Sequence, residues 1–233
     1  MVDQPKLPRT VRSFVRRAGR LTTAQERALT ELWPVWGIDY GESALDLKAL
    51  FGRAAKNVLE IGFGNGDTLA EDAASKPEQN FLGIEVHQPG VGRLLMHIER
   101  RNLSNVRVIC HDAVEVLGAQ IPPASLDTVN IYFPDPWPKK RHHKRRLIQP
   151  AFLGLLARAI KTQARLHIAT DWLPYAEHIH ACLNDSPDFN NAKHGQTLDD
   201  ARHTGEVLRS ETKFERRGRK LGHEVWDFIY QKG

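Results

Sequence analysis

Short apolar runs alternate with amphipathic stretches along the chain from residue 57 onward. Runs typical of buried strands lie at 57–62, 81–86, 106–110, 126–133 and 164–170. Stretches with helical spacing fill most of the intervals, at 67–76, 90–102, 113–118, 147–160 and 174–184. Strands that alternate with helices in this way are typical of a parallel sheet with both faces covered.

The N-terminal end departs from this alternation. Residues 1–20 are polar, basic and poor in core-forming side chains, which predicts a flexible arm. Thr23 stands three residues before Glu26, which is the spacing of a capping box. We therefore predict a helix that starts there and runs to about Trp33.

The C-terminal part completes the predicted architecture. The stretch 184–210 has no clear pattern and is predicted to be a loop, whereas 212–231 predicts two strands around a glycine-containing turn. We predict a Rossmann-like α/β fold: a mostly parallel seven-stranded sheet, helices on both faces and an antiparallel C-terminal hairpin. Residues 1–40 are assigned to the basic arm and short helix, and residues 41–233 to one domain.

Positive charge is concentrated in three places, although 33 basic and 28 acidic residues leave a formal net charge of only +5. The clusters lie at 9–20, 139–146 and 213–220. Such clusters favour a polyanionic partner, either nucleic acid or a membrane surface. The alternative is that each cluster is a solvated face.

The cysteines and the hydropathy exclude several protein classes. Cys110 and Cys182 form neither a disulfide framework nor a zinc spacing, which indicates a reducing compartment and no metal site. No apolar stretch reaches about 18 residues and no signal-peptide pattern is present, so we expect no membrane span. We therefore predict a cytoplasmic protein, and no feature requires an obligatory protein partner.

A glycine-rich turn follows the first strand of the alternating region. Gly62, Gly64 and Gly66 allow positive φ and a close approach of a ligand to the backbone. A dinucleotide fingerprint would place glycine or alanine at position 67, where this chain has Asp67. Because that carboxylate would repel a pyrophosphate at the helix start, the turn argues against a NAD-dependent dehydrogenase.

Acidic residues follow the next two strands. Glu85 closes the second strand, where a carboxylate can accept hydrogen bonds from both ribose hydroxyls. Asp112 follows the third strand at the expected height of an adenine amino group. Asp112 and Glu115 also have capping-box spacing, so a helix start is the alternative. Together the acids favour an adenosine-bearing cofactor without phosphates, and S-adenosylmethionine fits that description.

Six segments resemble, in order, those of the bacterial tRNA (guanine-N7)-methyltransferases. They are VLEIGFGNG, FLGIEV, CHDA, FPDPW, ATDW and TKFERRG, and the resemblance covers about residues 57–230. It implies a class I methyltransferase fold, S-adenosylmethionine as methyl donor and methylation of a guanine N7 in the variable loop of tRNA. It also implies that Glu60, Glu85, Asp112 and Asp135 contact the cofactor.

Asp135 is the candidate catalytic residue. Guanine N7 is a ring acceptor without a proton, so its methylation needs no general base. It needs in-line positioning and stabilisation of the positive charge that develops on the ring, which a fixed carboxylate provides. Pro134 and Pro136 restrict the backbone around Asp135, and Trp137 could stack on a base or close the pocket wall. The alternatives are an ordinary turn, or an acid that accepts from an amine, as in amino-methyltransferases.

The remaining candidates concern RNA. The residues expected to contact the RNA backbone are Arg141, His142, His143, Lys144, Arg145 and Arg146. The resemblance implies substrate contacts by Lys139, Asp171, Thr212, Lys213, Phe214 and Glu215. Our hypothesis is that Glu215 accepts from guanine N1–H and the 2-amino group, which would exclude adenine.

Each of these assignments has an alternative. Asp171 could cap the helix that contains Pro174, and Glu215 could pair with Arg216 or Arg217 at the surface. Other functions consistent with the sequence are a class I methyltransferase for an rRNA base or a protein amine, and an RNA-binding protein that has lost catalysis.

Overall fold

The computed structural model describes residues 12–14, 19–189, 191–202, 212, 215 and 224–233. The strands are β1 (Gly37–Ile38), β2 (Asn57–Ile61), β3 (Asn80–Ile84), β4 (Val106–Ile109), β5 (Leu126–Tyr132), β6 (Ile160–Thr170), β7 (Asn191–His194) and β8 (Trp226–Gln231). The helices are α1 (Thr23–Glu31), α2 (Trp33–Trp36), α3 (Leu47–Phe51), α4 (Asp67–Ser75), α5 (Gln88–Arg101), α6 (Ala113–Ala119), α7 (Pro150–Ala159), α8 (Leu173–Asn184) and α9 (Leu198–Ala201). A 3₁₀ helix spans Lys140–Arg145.

The strands described form one sheet in the order β1-β4-β3-β2-β5-β6-β8-β7. Strands β1 to β6 run parallel to one another, and β8 runs antiparallel to both β6 and β7. The chain moves outward from β2 through β3 to β4, then returns to β5 on the other side of β2. The predicted fold class is confirmed, and the two-residue strand β1 adds an edge strand that the sequence analysis did not include.

The antiparallel partner of β8 differs from the one predicted. It is β7, which lies inside the stretch 184–210 that was predicted to be a loop, as does α9. Thr212, the start of the predicted hairpin, lies outside any strand and Glu215 is helical; 213–214 and 216–223 lie outside the described residues. The pattern of β7 is weak because Asn and Lys are disfavoured in strands, so pairing with β8 decides its conformation.

The capping box of α1 is one residue from its predicted position. Thr22 is the N-cap: its hydroxyl accepts from the Gln25 N–H at 3.3 Å, and the Gln25 side chain accepts from the Thr22 N–H at 2.9 Å. The predicted pair of Thr23 and Glu26 was therefore wrong by one step. The sequence offers both spacings, because Thr22–Gln25 and Thr23–Glu26 each satisfy the same pattern.

Alternate side chains of the parallel strands pack against two helix layers. Val58 belongs to a buried cluster with α1, α4 and α5, whereas its neighbour Leu59 belongs to a cluster with α6, α7 and α8. This is the arrangement expected for a sheet with both faces covered, and it leaves the carboxyl ends of the strands open to loops. Among the described residues, no helix is both long and apolar enough to span a bilayer.

Candidate active site

The turn between β2 and α4 uses its three glycines for left-handed backbone. Gly62, Gly64 and Gly66 have φ angles of 73°, 58° and 73°, as the sequence predicted. Side chains other than glycine would strain this conformation. The Gly64 carbonyl also approaches α5 closely, since a Cβ added at Gly90 would lie 2.1 Å from its oxygen. The turn therefore exposes backbone, rather than side chains, at the carboxyl end of β2.

Glu85 holds this turn in place. One carboxylate oxygen accepts from the Gly64 N–H at 2.9 Å, and the other accepts from the N–H groups of Val86 at 2.7 Å and His87 at 3.0 Å. A carboxylate has about four acceptor positions, so three are already engaged within the protein. Glu85 therefore organises the glycine turn from the end of β3, a role that its position in the sequence did not reveal.

Asp112 caps α6. Its carboxylate accepts from the Val114 N–H at 2.9 Å, which confirms the alternative that it starts a helix. The capping box with Glu115 does not form, because the Glu115 carboxylate pairs with His111 instead. The ring of His111 stacks on Tyr40 with centroids 3.9 Å apart, next to the predicted adenine position. Sequence analysis missed this pair, since 70 residues separate the two rings.

The turn after β5 that carries Asp135 has a strained backbone. Phe133 and Trp137, on either side of the Pro134–Pro136 segment, have left-handed φ angles of 53° and 46°. Such conformations cost about 1–3 kcal/mol each and persist only where the surroundings enforce them. The Phe133 N–H is fixed by the Ala169 carbonyl at 2.8 Å. Asp135 lies between these two residues, exposed and beyond the end of β5.

Trp137 connects three segments. Its indole N–H donates to the Ser13 carbonyl at 3.0 Å, so the N-terminal segment contacts this turn. The guanidinium of Arg145 lies 5.0 Å from the ring centroid, and the His142 ring meets it edge-on at 5.8 Å. Of the two predicted roles, base stacking or pocket wall, this packing favours the wall.

The basic segment after Trp137 presents a cationic rim. Lys139, Lys140, Arg141 and Lys144 are exposed along the 3₁₀ helix and the residue before it. Desolvation, followed by the charges of Arg141 and Arg145, lowers the pKa of His142. We define these four cations as the rim, and they are available to a polyanion.

Arg146 is not part of the rim, although it was predicted to contact RNA with its neighbours. Its side chain is 4% exposed. Nε donates to the Pro136 carbonyl at 3.0 Å and Nη1 donates to the Pro174 carbonyl at 3.1 Å, while the guanidinium lies 4.9 Å from the Tyr175 ring centroid. The prediction fails because Arg146 joins the Asp135 turn to α8, and burial lowers its pKa.

Asp171 directly follows β6 and is half-buried. The alternative that it caps α8 is wrong: the N-cap is Trp172, with no side-chain capping bond. The Trp172 N–H donates to the Thr170 hydroxyl at 3.3 Å, and the Trp172 side chain is 40% exposed beside Asp171. The carboxylate of Asp171 is thus placed at the carboxyl edge without a capping role in α8.

Thr212 and Glu215 are both buried. The Thr212 hydroxyl accepts from the Glu215 N–H at 3.1 Å, and Glu215 is 1% exposed. Glu215 is therefore not a surface residue, and Arg216 and Arg217, its alternative partners, lie outside the described residues. Lys213 and Phe214 lie outside the described residues.

The predicted cofactor acids share one edge of the sheet. Glu60, 4% exposed, lies in β2 between Gly83 of β3 and Asn130 of β5, one residue before the strand ends. The strand order places Asp112, Glu85, the glycine turn, the Asp135 turn and Asp171 beyond successive strands from β4 to β6. Four strand spacings span about 19 Å. The β2–β5 crevice, where the strand order reverses, is the expected ligand position in such a sheet.

In the described part of the chain, no three His, Cys, Asp or Glu side chains cluster as a metal site. The arrangement instead offers carboxylates, backbone turns and a cationic rim. Such a site can bind a polar, positively charged ligand in the crevice and a polyanion beside it.

Comparisons with known proteins identify the family. Residues 54–228 match the family described as "Putative methyltransferase". A tRNA (guanine-N(7)-)-methyltransferase of Alkalilimnicola ehrlichii is 53% identical over 96% of this chain and 93% of its own length. Enzymes of the same name from Nitrosococcus oceani and Burkholderia pseudomallei are 52% and 54% identical, over 97% and 96% of this chain and 92% and 82% of their own lengths.

Solved structures are similar in fold at much lower identity. The 16S rRNA methyltransferase KamB aligns with a TM-score of 0.58 at 13% identity, covering 82% of this chain and 95% of that protein. An antibiotic-related methyltransferase aligns at 0.53 and 16% identity, covering 81% and 96%. These likenesses show a methyltransferase fold, while the sequence relatives are much closer. The chain belongs to the family of tRNA (guanine-N(7)-)-methyltransferases.

Proposed function

We propose that this protein transfers the methyl group of S-adenosylmethionine to N7 of a guanine in the variable loop of tRNA. The observation that carries the proposal is the shared carboxyl edge, where the cofactor acids and the Asp135 turn meet beside the rim. Relatives that are about half identical over nearly the whole chain bear the corresponding name.

The residues at the β2 end of the crevice fit this cofactor. Asp67 lies in the first turn of α4, where its charge disfavours a pyrophosphate. S-adenosylmethionine carries no phosphate, and its ammonium and sulfonium groups are attracted by Glu60 and Asp135. Glu85 keeps about one acceptor position for a ribose hydroxyl, and Asp112 keeps acceptor capacity beyond its capping bond.

Asp135 would act on charge rather than on a proton. The bound cofactor supplies a methyl group on a positively charged sulfur. The N7 lone pair forms the new N–C bond while the C–S bond breaks and its electron pair goes to sulfur. Positive charge thereby moves to the purine ring. A carboxylate held beside the ring by a strained turn stabilises that charge without reorganising.

Glu215 would select guanine. Glu215 is buried, so water does not readily replace a hydrogen bond from the base, and a site built around that bond rejects analogues that lack the donor. Guanine offers N1–H and the 2-amino group to a carboxylate, whereas adenine has no donor at either position. Asp171 and Lys139 would contact the substrate on the side of the Asp135 turn that faces away from the cofactor. The rim supplies salt-dependent affinity for phosphates.

The experiment is methyl transfer from labelled S-adenosylmethionine to tRNA that lacks 7-methylguanosine, followed by digestion and identification of the labelled nucleoside. Label in 7-methylguanosine from the variable loop is the expected result. Label in another nucleoside would support S-adenosylmethionine as the methyl donor but refute N7 of guanine as the acceptor. Cofactor binding without label in any tRNA would refute tRNA as the substrate.

A further inference from the structure

We propose that Tyr132, His167 and Asp227 form a hydrogen-bonded chain that positions the turn carrying Asp135. The inference rests on the proposed function only for its catalytic consequence. The three residues come from β5, β6 and β8, and none of them belongs to the predicted cofactor or substrate set.

The hydrogen-bonded chain of Tyr132, His167 and Asp227 is buried and continuous. His167 Nε2 lies 2.8 Å from Asp227 Oδ1, and both side chains are 0% exposed. His167 Nδ1 lies 3.3 Å from the Tyr132 hydroxyl, and the two rings meet nearly at right angles with centroids 5.1 Å apart. Tyr132 and Asp227 both pair in register with Ala169 of β6, so the chain crosses three strands on one face of the sheet.

For a neutral His167, the partners indicate the direction of each hydrogen bond. An ionised Asp227 only accepts, so the proton shared with it lies on His167 Nε2. In the neutral imidazole, Nδ1 then carries a lone pair and accepts from the Tyr132 hydroxyl. This tautomer is inferred from the network. The Tyr132 ring is thereby fixed through His167 to a carboxylate on a different strand.

Sheet packing alone does not call for these polar groups. On the opposite face of the same strands, Ile131, Ile168 and Phe228 are fully buried and apolar. Well-packed apolar residues often stabilise a fold as well as buried polar groups do. We therefore assign the hydrogen-bonded chain another role, which its location indicates.

That location is directly beneath the strained turn. Tyr132 is the last residue of β5, and the left-handed Phe133 follows it. Asp135 lies three residues beyond Tyr132, and Asp171 four residues beyond His167. Strained backbone persists only when neighbouring groups over-determine it. The hydrogen bond of the Tyr132 hydroxyl fixes the base of the turn. The position of Asp135, three residues further along, depends on that base.

The test removes one hydroxyl group. Tyr132→Phe preserves the ring and its volume but breaks the chain. We expect kcat to fall about tenfold, while KM for tRNA and the S-adenosylmethionine Kd stay within about twofold, because the change concerns transition-state geometry. Asp227→Asn keeps an acceptor for His167 Nε2–H and should retain most of the wild-type kcat.

The matched control is Tyr230→Phe. Tyr230 also lies in β8 and is 1% exposed, and its hydroxyl oxygen lies within hydrogen-bond distance of two acceptors, Asn184 Oδ1 at 3.0 Å and the Gly195 carbonyl at 3.2 Å. It points to the other face of the sheet from Asp227 because side chains alternate along a strand. We expect a loss of Tm similar to that of Tyr132→Phe, but an unchanged kcat.

Amide hydrogen exchange gives a readout that does not depend on catalysis. The N–H groups of Phe133, Asp135 and Trp137 should exchange about tenfold faster in Tyr132→Phe and at the wild-type rate in Tyr230→Phe. Equal exchange in all three proteins, or equal kcat losses in the two variants, would overturn the inference. A wild-type protein that methylates no tRNA would refute the proposed function, while the exchange experiment would still decide this one.

Discussion

The two ends of the parallel strands carry polar residues in different ways. At the amino end of β5, Asp127 accepts from the Asn57 N–H and from Lys161, each at 2.8 Å, in a partly exposed pair. At the carboxyl end of the same strand, Asp135 stands on a turn between two left-handed residues. Asp127 thus ties two segments together, whereas Asp135 is exposed on a turn beyond the strand.

A cavity near the amino ends of the strands also differs from the candidate active site. It has a volume of about 300 Å³ and is lined by Lys56, Lys76, Phe81, Asn130 and Arg165, among others. It lies on the sheet face, away from the acids beyond the strand ends. Position beyond the carboxyl ends of the strands distinguishes the candidate active site, whereas polarity, cavity volume and left-handed backbone also occur elsewhere, the last at Ala124 and Gln163.

The strongest test of this comparison replaces the carboxylate at each end of β5 with alanine, in two separate variants. Asp135→Ala should lower kcat by about 100-fold or more, because a preorganised charge beside the reacting ring is lost. Asp127→Ala removes a partly exposed ion pair and the acceptor of the Asn57 N–H, so it should leave kcat unchanged and cost about 1–3 kcal/mol of the free energy of unfolding. Steady-state kinetics of both variants checks this, and a similar loss of kcat in both would remove the distinction.

The second test concerns Glu85 and the glycine turn. Glu85→Ala should weaken S-adenosylmethionine binding by about 100-fold, since three N–H groups lose their acceptor and the turn loses its shape. Glu99→Ala is the control: Glu99 pairs with Arg27 on the partly exposed surface between α5 and α1. Calorimetry should give the wild-type Kd for the control. An unchanged Kd in Glu85→Ala would contradict the role of this carboxylate.

The third test separates Arg146 from its basic neighbours by stability. Arg146→Ala removes a buried side chain and leaves two partly buried carbonyl groups without this donor, so it should cost about 3 kcal/mol of unfolding free energy. Arg141→Ala, in the exposed rim, should cost less than about 0.5 kcal/mol. Urea unfolding measures both. Equal stabilities would mean that Arg146 is not structural.

The smallest expected effect is on tRNA binding by the rim. Arg141→Ala should weaken binding several-fold at moderate salt and reduce the slope of log K against log [salt] by about one. Lys161→Ala, at the amino end of the sheet, should leave the slope unchanged. Binding titrations at several salt concentrations test this, and an unaltered slope in Arg141→Ala would exclude a phosphate contact there.

Much of the carboxyl edge could be predicted from sequence because the signals are local. Apolar runs mark the parallel strands, and the rule for ligand position in such sheets directs attention to Glu85, Asp112 and Asp135. The glycine turn follows from residue type alone. The family resemblance adds the reaction, since carboxylates and glycines do not identify a methyl acceptor.

The rest depends on contacts between distant segments. Arg146 has the same local sequence as the rim, and only the Pro136 and Pro174 carbonyls distinguish it. His167 and Asp227 lie 60 residues apart, and each stands inside an apolar run that predicts a strand. Nothing in either run indicates that the two side chains form a hydrogen bond. Strand β7 forms because β8 offers it an edge, which its polar sequence does not indicate.

The most direct test of the central claim replaces the acceptor atom itself. A tRNA with 7-deazaguanosine at the target guanine has a C–H group in place of N7 but keeps N1–H and the 2-amino group. We predict that it binds within about twofold of unmodified tRNA, because the phosphates and the Glu215 contact are unchanged, and that it accepts no methyl group. Methyl transfer to the 7-deazaguanosine residue at a rate near that of the normal substrate would contradict N7 as the acceptor.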